Sequence, residues 1–320
     1  MDNLTHSLVG ALIGQAGLKK KTGLAMPALI IGANLPDVDA ACFFWLEGQE
    51  HLGFRRGITH GPPALVLLPL ILAGLLYGFD RWQASRGKRP EDRRPVSFKW
   101  LFLLSFIGCL THPALDWLNV YGIRLLEPFS NQWFYGDTLF IIDVWLWALM
   151  GFATWFSLRR EKRGKEWMKP ARIALTAALA YIGLNWVITY LAETNRGIMA
   201  EPYPVVAIAS PPPFAFWVRE RIIQTEDGRW FSDAWTGTDI GYDYKAPEAV
   251  LCAIPGNAAE QSKEAAAFML WSRSPFAERA DDGSVIMRDA RFYDPLARDR
   301  FTVALPNVRC EPLTQEPLAE

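Results

Sequence analysis

The sequence predicts an α-helical integral membrane domain, a helical hairpin plus four transmembrane helices, followed by a small α+β extramembrane domain. Three observations carry this expectation. Residues 62–79, 98–118, 138–158 and 171–192 are apolar over close to the roughly 20 residues a helix needs to cross a bilayer. The loops between them alternate between strongly basic and nearly uncharged. After residue 194 the long apolar runs give way to short alternating ones punctuated by Gly, Pro and Asp, the pattern of strands and turns. The expected domains are therefore 1–194, in the membrane, and 195–320, outside it. The chain has 320 residues, room for two domains, and a formal net charge of −1, which lacks the electrostatic footprint of a nucleic-acid binder. Its first residues carry no basic stretch followed by a long apolar core and a small-residue cleavage site, so no cleaved signal peptide is expected.

In chain order, residues 4–18 and 24–35 come first, separated by Lys19, Lys20 and Lys21. At about 1.5 Å per residue each reaches only roughly 20 Å, which fits a hairpin tucked among longer helices. Asn3 or Thr5 is placed to cap the first piece. Pro62 and Pro63 open the next helix, where a missing N–H costs nothing. The stretch "DTLFIIDVWLW" places Asp143 about one and a half turns into the third long helix. Beyond Ala192 a proline-rich linker leads to runs read as an antiparallel sheet: 215–225, 227–235, 283–294 and 300–310, with turns at Asp227-Gly228 and Asp282-Gly283. Residues 259–274 read as one amphipathic helix. Cys252 and Cys310 both fall in this tail, where an oxidising compartment would allow a disulfide.

The basic loops set the orientation. The segment 81–99 holds seven Lys or Arg and 159–172 holds seven more, whereas 119–137 has only Arg124. The positive-inside rule puts both basic loops in the cytoplasm. Parity then places the N-terminus, the 119–137 loop and the tail outside, which in a bacterium is the periplasm. The same parity brings unusual polar residues to that outer face: His6, Asp37 and Asp39, His60, His112 and Asp116, and Asp137.

Ionisable groups at membrane depth are costly and mark functional sites. His112 and Asp116, in "THPALDW", are four apart and project from one helical face. Imidazole nitrogen and carboxylate oxygen together suit a divalent cation, and a set with no thiolate suits Zn²⁺, Mn²⁺ or Fe. Taken singly, Asp37 and Asp39 read as helix caps and His60 or His6 as incidental. Their common side of the membrane is what favours a metal. The expected ligands are His6, Asp37, Asp39, His60, His112 and Asp116, around one or two ions. Asp39 is alternatively a bridging group or the general base. Asp137 and Asp143 are expected to orient a histidine, and Arg55 and Arg56 to clamp a phosphate or meet lipid headgroups.

The strings "LTHSLVG", "NLPDVD", "RRGITHG" and "THPALDWLNVYGIRLLEPFSNQWFYGD", in this order, resemble the YdjM-like family of membrane-bound metal-dependent hydrolases, over roughly residues 1–150. Many members have histidine where this chain has Arg55 and Ala40, so the resemblance implies one or two ions rather than three. The His-x3-Asp pair is also similar to one in zinc-dependent phospholipase C. What the resemblance implies is a metal-dependent hydrolase of the bacterial inner membrane; the residues themselves suggest Asp39, Arg56 and Asp137 as catalytic, and a site at the outer membrane boundary suggests a phosphoester or lipid-linked substrate. The bilayer is then its partner, nucleic acid is not, and the tail covers the site or selects substrate. The competing expectations are an ion or solute transporter component and a scaffold with a structural metal.

Overall fold

The computed structural model describes residues 1–194, 204–225, 230–237, 250–293 and 297–313. The chain forms two compact units. One comprises Met1–Asp39, Arg56–Thr189 and Ser210–Trp217; the other Ala40–Arg55, Tyr190–Ala209 and Val218–Glu320.

The first unit is helical. Helix α1 (Asn3–Gln15) is capped by Asp2, whose carboxylate accepts from the Leu4 and Thr5 N–H groups at 2.9 and 3.1 Å. The cap is thus one residue earlier than Asn3. Helix α2 (Ala25–Asn34) runs on directly as a 3-10 stretch, Leu35–Phe44. A short helix α3 (His51–Phe54) belongs to the other unit. Helix α4 (Pro62–Ser85) starts behind Gly61, α5 (Phe98–Trp117) contains Pro113, and α6 (Val144–Lys162) and α7 (Met168–Thr194) complete the set.

Among the described residues, Ala25–Phe44, Pro62–Ser85, Phe98–Trp117 and Met168–Thr194 are long and apolar enough to cross a membrane. This differs from the expected set in two places. The second hairpin arm is not short, because the 3-10 stretch extends it through Phe44. The run 138–158 is helical only from Val144, because Asp143 is the N-cap rather than an interior residue: its carboxylate accepts from Trp145 and Leu146 N–H at 3.0 and 2.9 Å and from the Tyr181 hydroxyl at 3.0 Å. The last turn of α6 then carries Arg159, Arg160 and Lys162, which complement the helix dipole but shorten the apolar part.

Two apolar clusters hold the helices. Leu12, Leu115, Leu146 and Met150 join α1, α5, α6 and the alanine face of α7; Leu29, Ala73, Leu101 and Leu104 join α2, α4 and α5. Where α5 crosses α2 the backbones touch. A Cβ on Gly108 would lie 2.5 Å from the Leu29 carbonyl oxygen, so only glycine fits there.

In the second unit, β1 (Pro204–Ser210), β2 (Arg219–Thr225) and β3 (Trp230–Trp235) form one sheet in that order. Strands β4 (Leu251–Cys252), β5 (Pro275–Arg279), β6 (Ser284–Asp289) and β7 (Thr302–Arg309) form a second, antiparallel throughout. The single expected sheet is therefore two, and β1 begins at Pro204, inside what read as linker. The Asp282-Gly283 turn is present, with Gly283 at φ 81; the Asp227-Gly228 turn lies outside the described residues. Helix α8 (Lys263–Trp271), capped by Ser262, packs beside α3, with Gly53 against Ala267. Its Trp271 is fully buried between Phe292 and Phe301. Cys252 and Cys310 are joined as a disulfide. Membrane-type helices followed by a small α+β domain are the architecture of this chain.

Candidate metal centre

Four stretches of the helical unit deliver polar side chains to one place. Asp37 and Asp39 come from the 3-10 continuation of α2, Arg56, Thr59 and His60 from the loop before α4, His112 and Asp116 from one face of α5, and His6 from α1. One ligand atom from each of Asp37, His60, His112 and Asp116 lies within 4.8 Å of the others. All but Asp37 are buried, and the three histidines have no exposed side-chain surface.

Asp116 is the hub. Its Oδ2 lies 3.5 Å from His112 Nε2, 3.6 Å from His60 Nε2 and 3.2 Å from Arg56 Nε. Its Oδ1 meets the Met1 ammonium and stands 3.3 Å from His6 Nε2. His6 stacks on His112 with ring centroids 3.8 Å apart. Asp37 Oδ1 is 3.7 Å from His112 Nε2.

The histidines are held by their other nitrogens. His112 Nδ1 sits 2.7 Å from the Ala33 carbonyl oxygen. A carbonyl only accepts, so Nδ1 carries the proton and Nε2 offers its lone pair to the cluster. His60 Nδ1 is 2.9 Å from Thr59 Oγ1, and that hydroxyl donates to Asp39 Oδ2 at 3.2 Å. The relay Nδ1–H to Thr59 to Asp39 leaves His60 Nε2 facing Asp116. Burial also pushes the His60 imidazole below its ordinary pKa, against the pull of Asp116, and so toward the neutral form a metal ligand requires.

This geometry fits a metal by its spacing. His60 Nε2, His112 Nε2, both nitrogens of His6 and Asp116 Oδ2 are buried without a hydrogen-bond partner. Neutral imidazole lone pairs aimed at a carboxylate oxygen repel unless a cation lies between them. The separations of 3.5 to 3.7 Å are long for a hydrogen bond. They are close to the edge of a tetrahedral shell, about 3.4 Å for metal–ligand bonds near 2.1 Å. The donor set of imidazole and carboxylate is that of zinc, manganese or iron.

Of the remaining expected residues, Asp39 and Arg56 touch this core. Asp39 Oδ2 accepts from the Arg56 main-chain N–H at 2.8 Å and lies 3.6 Å from His60 Nδ1, on the far side of that ring. Arg56 is buried, and its Nη1 donates to Asn119 Oδ1 at 3.0 Å and to the Gly122 carbonyl at 3.1 Å. The neighbouring Arg55 lies over the Phe43 ring, so the two arginines serve different partners. Asp137 is buried in the segment between α5 and α6, with its carbonyl accepting from Thr189 Oγ1 at 3.0 Å. Arg56 and Asp137 both have positive φ, 54° and 48°, a left-handed conformation that clusters at functional sites when the residue is not glycine. His51 is half-buried, bonded to Gly48 O at 2.9 Å. Gly61 is fixed by contact, since a Cβ there would lie 1.8 Å from Glu127 O.

Sequence reasoning missed Thr59, Asn119 and the Ala33 carbonyl. Thr59 adjoins His60 in "RRGITHG", so its place in the string was the available signal; a carbonyl leaves none.

Comparison with known proteins bears on the helical unit as a whole. Residues 1–192 match the family model described as YdjM inner membrane protein. The chain is 26% identical over 167 residues to "Uncharacterized protein YfhP" of Bacillus subtilis (strain 168), covering 49% of this chain and 47% of that protein. The match thus spans about half the length of that relative. No solved structure matches the chain significantly. The helices, the motif order and the extent of the family match lead to one conclusion: this chain belongs to the YdjM inner membrane protein family.

Proposed function

We propose that this protein is a metal-dependent hydrolase that crosses the bacterial inner membrane several times, with its metal centre and C-terminal unit on the periplasmic side. The substrate of this reading is a phosphoester on an amphiphilic or lipid-linked molecule. The convergence of Asp37, His60, His112 and Asp116, with their facing atoms otherwise unsatisfied, is the observation that carries it.

A divalent metal held by these four residues, with His6 beside them, supplies Lewis acidity and an activated water near neutral pH. The chain's own residues do the rest. Ala33 and Thr59 hold the two imidazoles with Nε2 inward. Arg56 fixes the orientation of Asp116 and offsets its charge. Asp39 keeps Thr59 and His60 in line through Oδ2, on the side of the His60 ring away from the cluster. Asp137, in the segment between α5 and α6, is held by the Thr189 hydroxyl on its carbonyl. An amphiphile is favoured by the exposed aromatics Trp117 at the end of α5 and Phe129 in the loop beyond it. The basic loops 81–99 and 159–172 support the topology, and the Cys252–Cys310 disulfide supports an oxidising compartment for the tail.

The test is turnover of chromogenic phosphomonoesters and phosphodiesters and of a polyprenyl phosphate by detergent-purified protein. Hydrolysis should stop with chelator, return with added metal, and be absent in His60→Ala. Equal turnover in His60→Ala would overturn the assignment. A metal bound stoichiometrically with no turnover across the panel would replace hydrolysis by ion passage or scaffolding.

A further inference from the structure

The far end of α6 carries a second feature, unrelated to the histidine cluster. Phe152, Trp155, Phe156, Arg159 and Arg163 recur every three or four residues, so they form one stripe along the helix and its C-cap. The upper half of the stripe is aromatic and the lower half cationic. Phe152 is 63% and Trp155 51% exposed. From Phe152 to Arg163 the stripe is about 16 Å long, at about 1.5 Å per residue. A cavity of about 420 Å³ opens along it, with Arg160 and Lys165 completing its wall.

The positive charge here is not compensated. The stretch contains two carboxylates, and both are used elsewhere. Glu161 pairs with Lys19 of the α1–α2 turn. Glu166 caps α7, accepting from Met168 and Lys169 N–H at 3.0 Å each. Among the described residues no carboxylate pairs with Arg159, Arg163 or Lys165. Arg159 instead lies over the Trp155 ring at 5.4 Å, and Arg160 over Phe156 at 5.7 Å, which holds the guanidinium groups against the aromatic wall. The C-terminal pole of α6 opposes an anion at this point, but only weakly at an exposed end. Four cations outweigh it.

We propose that this cavity binds the headgroup of an anionic phospholipid, with the phosphate among Arg159, Arg163 and Lys165 and an acyl chain along Trp155 and Phe152. A stripe that is apolar at one end and cationic at the other, on a helix of a membrane protein, matches an amphiphile. A free phosphate would use only the lower half, and a nucleic acid would leave the exposed Phe152 in water. The site is independent of the metal centre, so either can fail without the other.

The experiment is native mass spectrometry of the full chain, delipidated in detergent and titrated with dioleoylphosphatidylglycerol, dioleoylphosphatidylcholine or inorganic phosphate. The expected result is one tightly held phosphatidylglycerol per chain, at least tenfold weaker retention of phosphatidylcholine, and a tenfold or greater loss of phosphatidylglycerol affinity in R159Q/R163Q. Metal content of that variant should match wild type. If the double variant does not fold, Arg163→Gln alone, at the exposed C-cap of α6, should weaken binding at least threefold. Equal retention of both lipids, or an unchanged affinity in the variant, would overturn the proposal. So would displacement of the lipid by millimolar inorganic phosphate, or tight capture of an oligonucleotide in its place.

Discussion

The main-chain N–H of Arg56 donates to Asp39 Oδ2 at 2.8 Å, across seventeen residues of sequence. These two residues flank Ala40–Arg55, the segment that folds with the C-terminal unit, so the bond closes the neck where the chain leaves the helical unit and returns to it. The same carboxylate oxygen accepts from Thr59 and thereby fixes His60. Arg56, at φ 54, adopts the left-handed conformation with its side chain on Asp116.

Asp39→Ala should therefore weaken metal binding by about 10- to 100-fold, the usual cost of losing a partner that orients a ligand. Asp39→Asn should fall between, because an amide oxygen still accepts both bonds but without charge. Its hydrolytic rate should fall in step with its metal affinity, because the carboxylate acts through Thr59 and His60. Competitive titration with a metal-sensitive dye measures the first effect; unchanged affinity in Asp39→Ala would remove Asp39 from the centre.

Gly108 tests how far helix packing sets the ligands. It sits one turn before His112, where α5 touches α2, and the Ala33 carbonyl that orients His112 belongs to the same contact. Gly108→Leu must push the helices apart at a cost of about 1–3 kcal/mol. The 2.7 Å bond from His112 should be lost with it. Metal stoichiometry should drop although no ligand is changed. A variant that keeps full metal content would show that the centre tolerates a shift of α5.

Part of this site was legible in the sequence and part was not. His112 and Asp116 stand out because helical spacing puts them on one face at the end of an apolar run. Asp37 and His60 stand out because proline or glycine beside them marks the end of a helix. Nothing in composition marks residues 40–55 as part of the C-terminal unit, since the contacts that tie it there, such as Gly53 on Ala267 and Gln49 Nε2 to the Arg300 carbonyl, join residues far apart in sequence. Strand β1 hid among prolines. Asp143 hid inside an apolar count that runs past it, although an Asp before "VWLW" is also an N-cap signal. Arg56 read as an outward phosphate clamp because sequence shows its charge but not its φ.

Acid should destabilise the C-terminal unit through Asp289. Burial alone would raise this carboxyl, but the Arg291 guanidinium, with bonds from Arg291, Ser272 and Ser274, holds it below the usual carboxylate range. A depressed pKa contributes stability that is complete above the unfolded value near 3.9 and is lost as pH falls through the folded one. Unfolding midpoints followed below pH 4 should drop steeply in wild type. Asp289→Asn should be less stable at pH 7 and show a flatter acid limb. An equal slope in both proteins would assign the acid sensitivity elsewhere.

The Cys252–Cys310 bridge encloses a separation of 58 residues and ties β4 to the end of β7. Constraining an unfolded loop of that size stabilises by about 2–4 kcal/mol. Reduction should sensitise the C-terminal unit to limited proteolysis while leaving metal content unchanged. Digestion at the same rate with and without reductant would contradict this.

The central claim is that Asp37, His60, His112 and Asp116 hold a metal. Elemental analysis of detergent-purified protein, wild type beside His112→Ala, tests it most directly. The account predicts one or two zinc, manganese or iron per chain in wild type, lost in the variant while helical content by circular dichroism is kept. Wild-type protein with no bound metal, even after supplementation with each of the three ions, would contradict it.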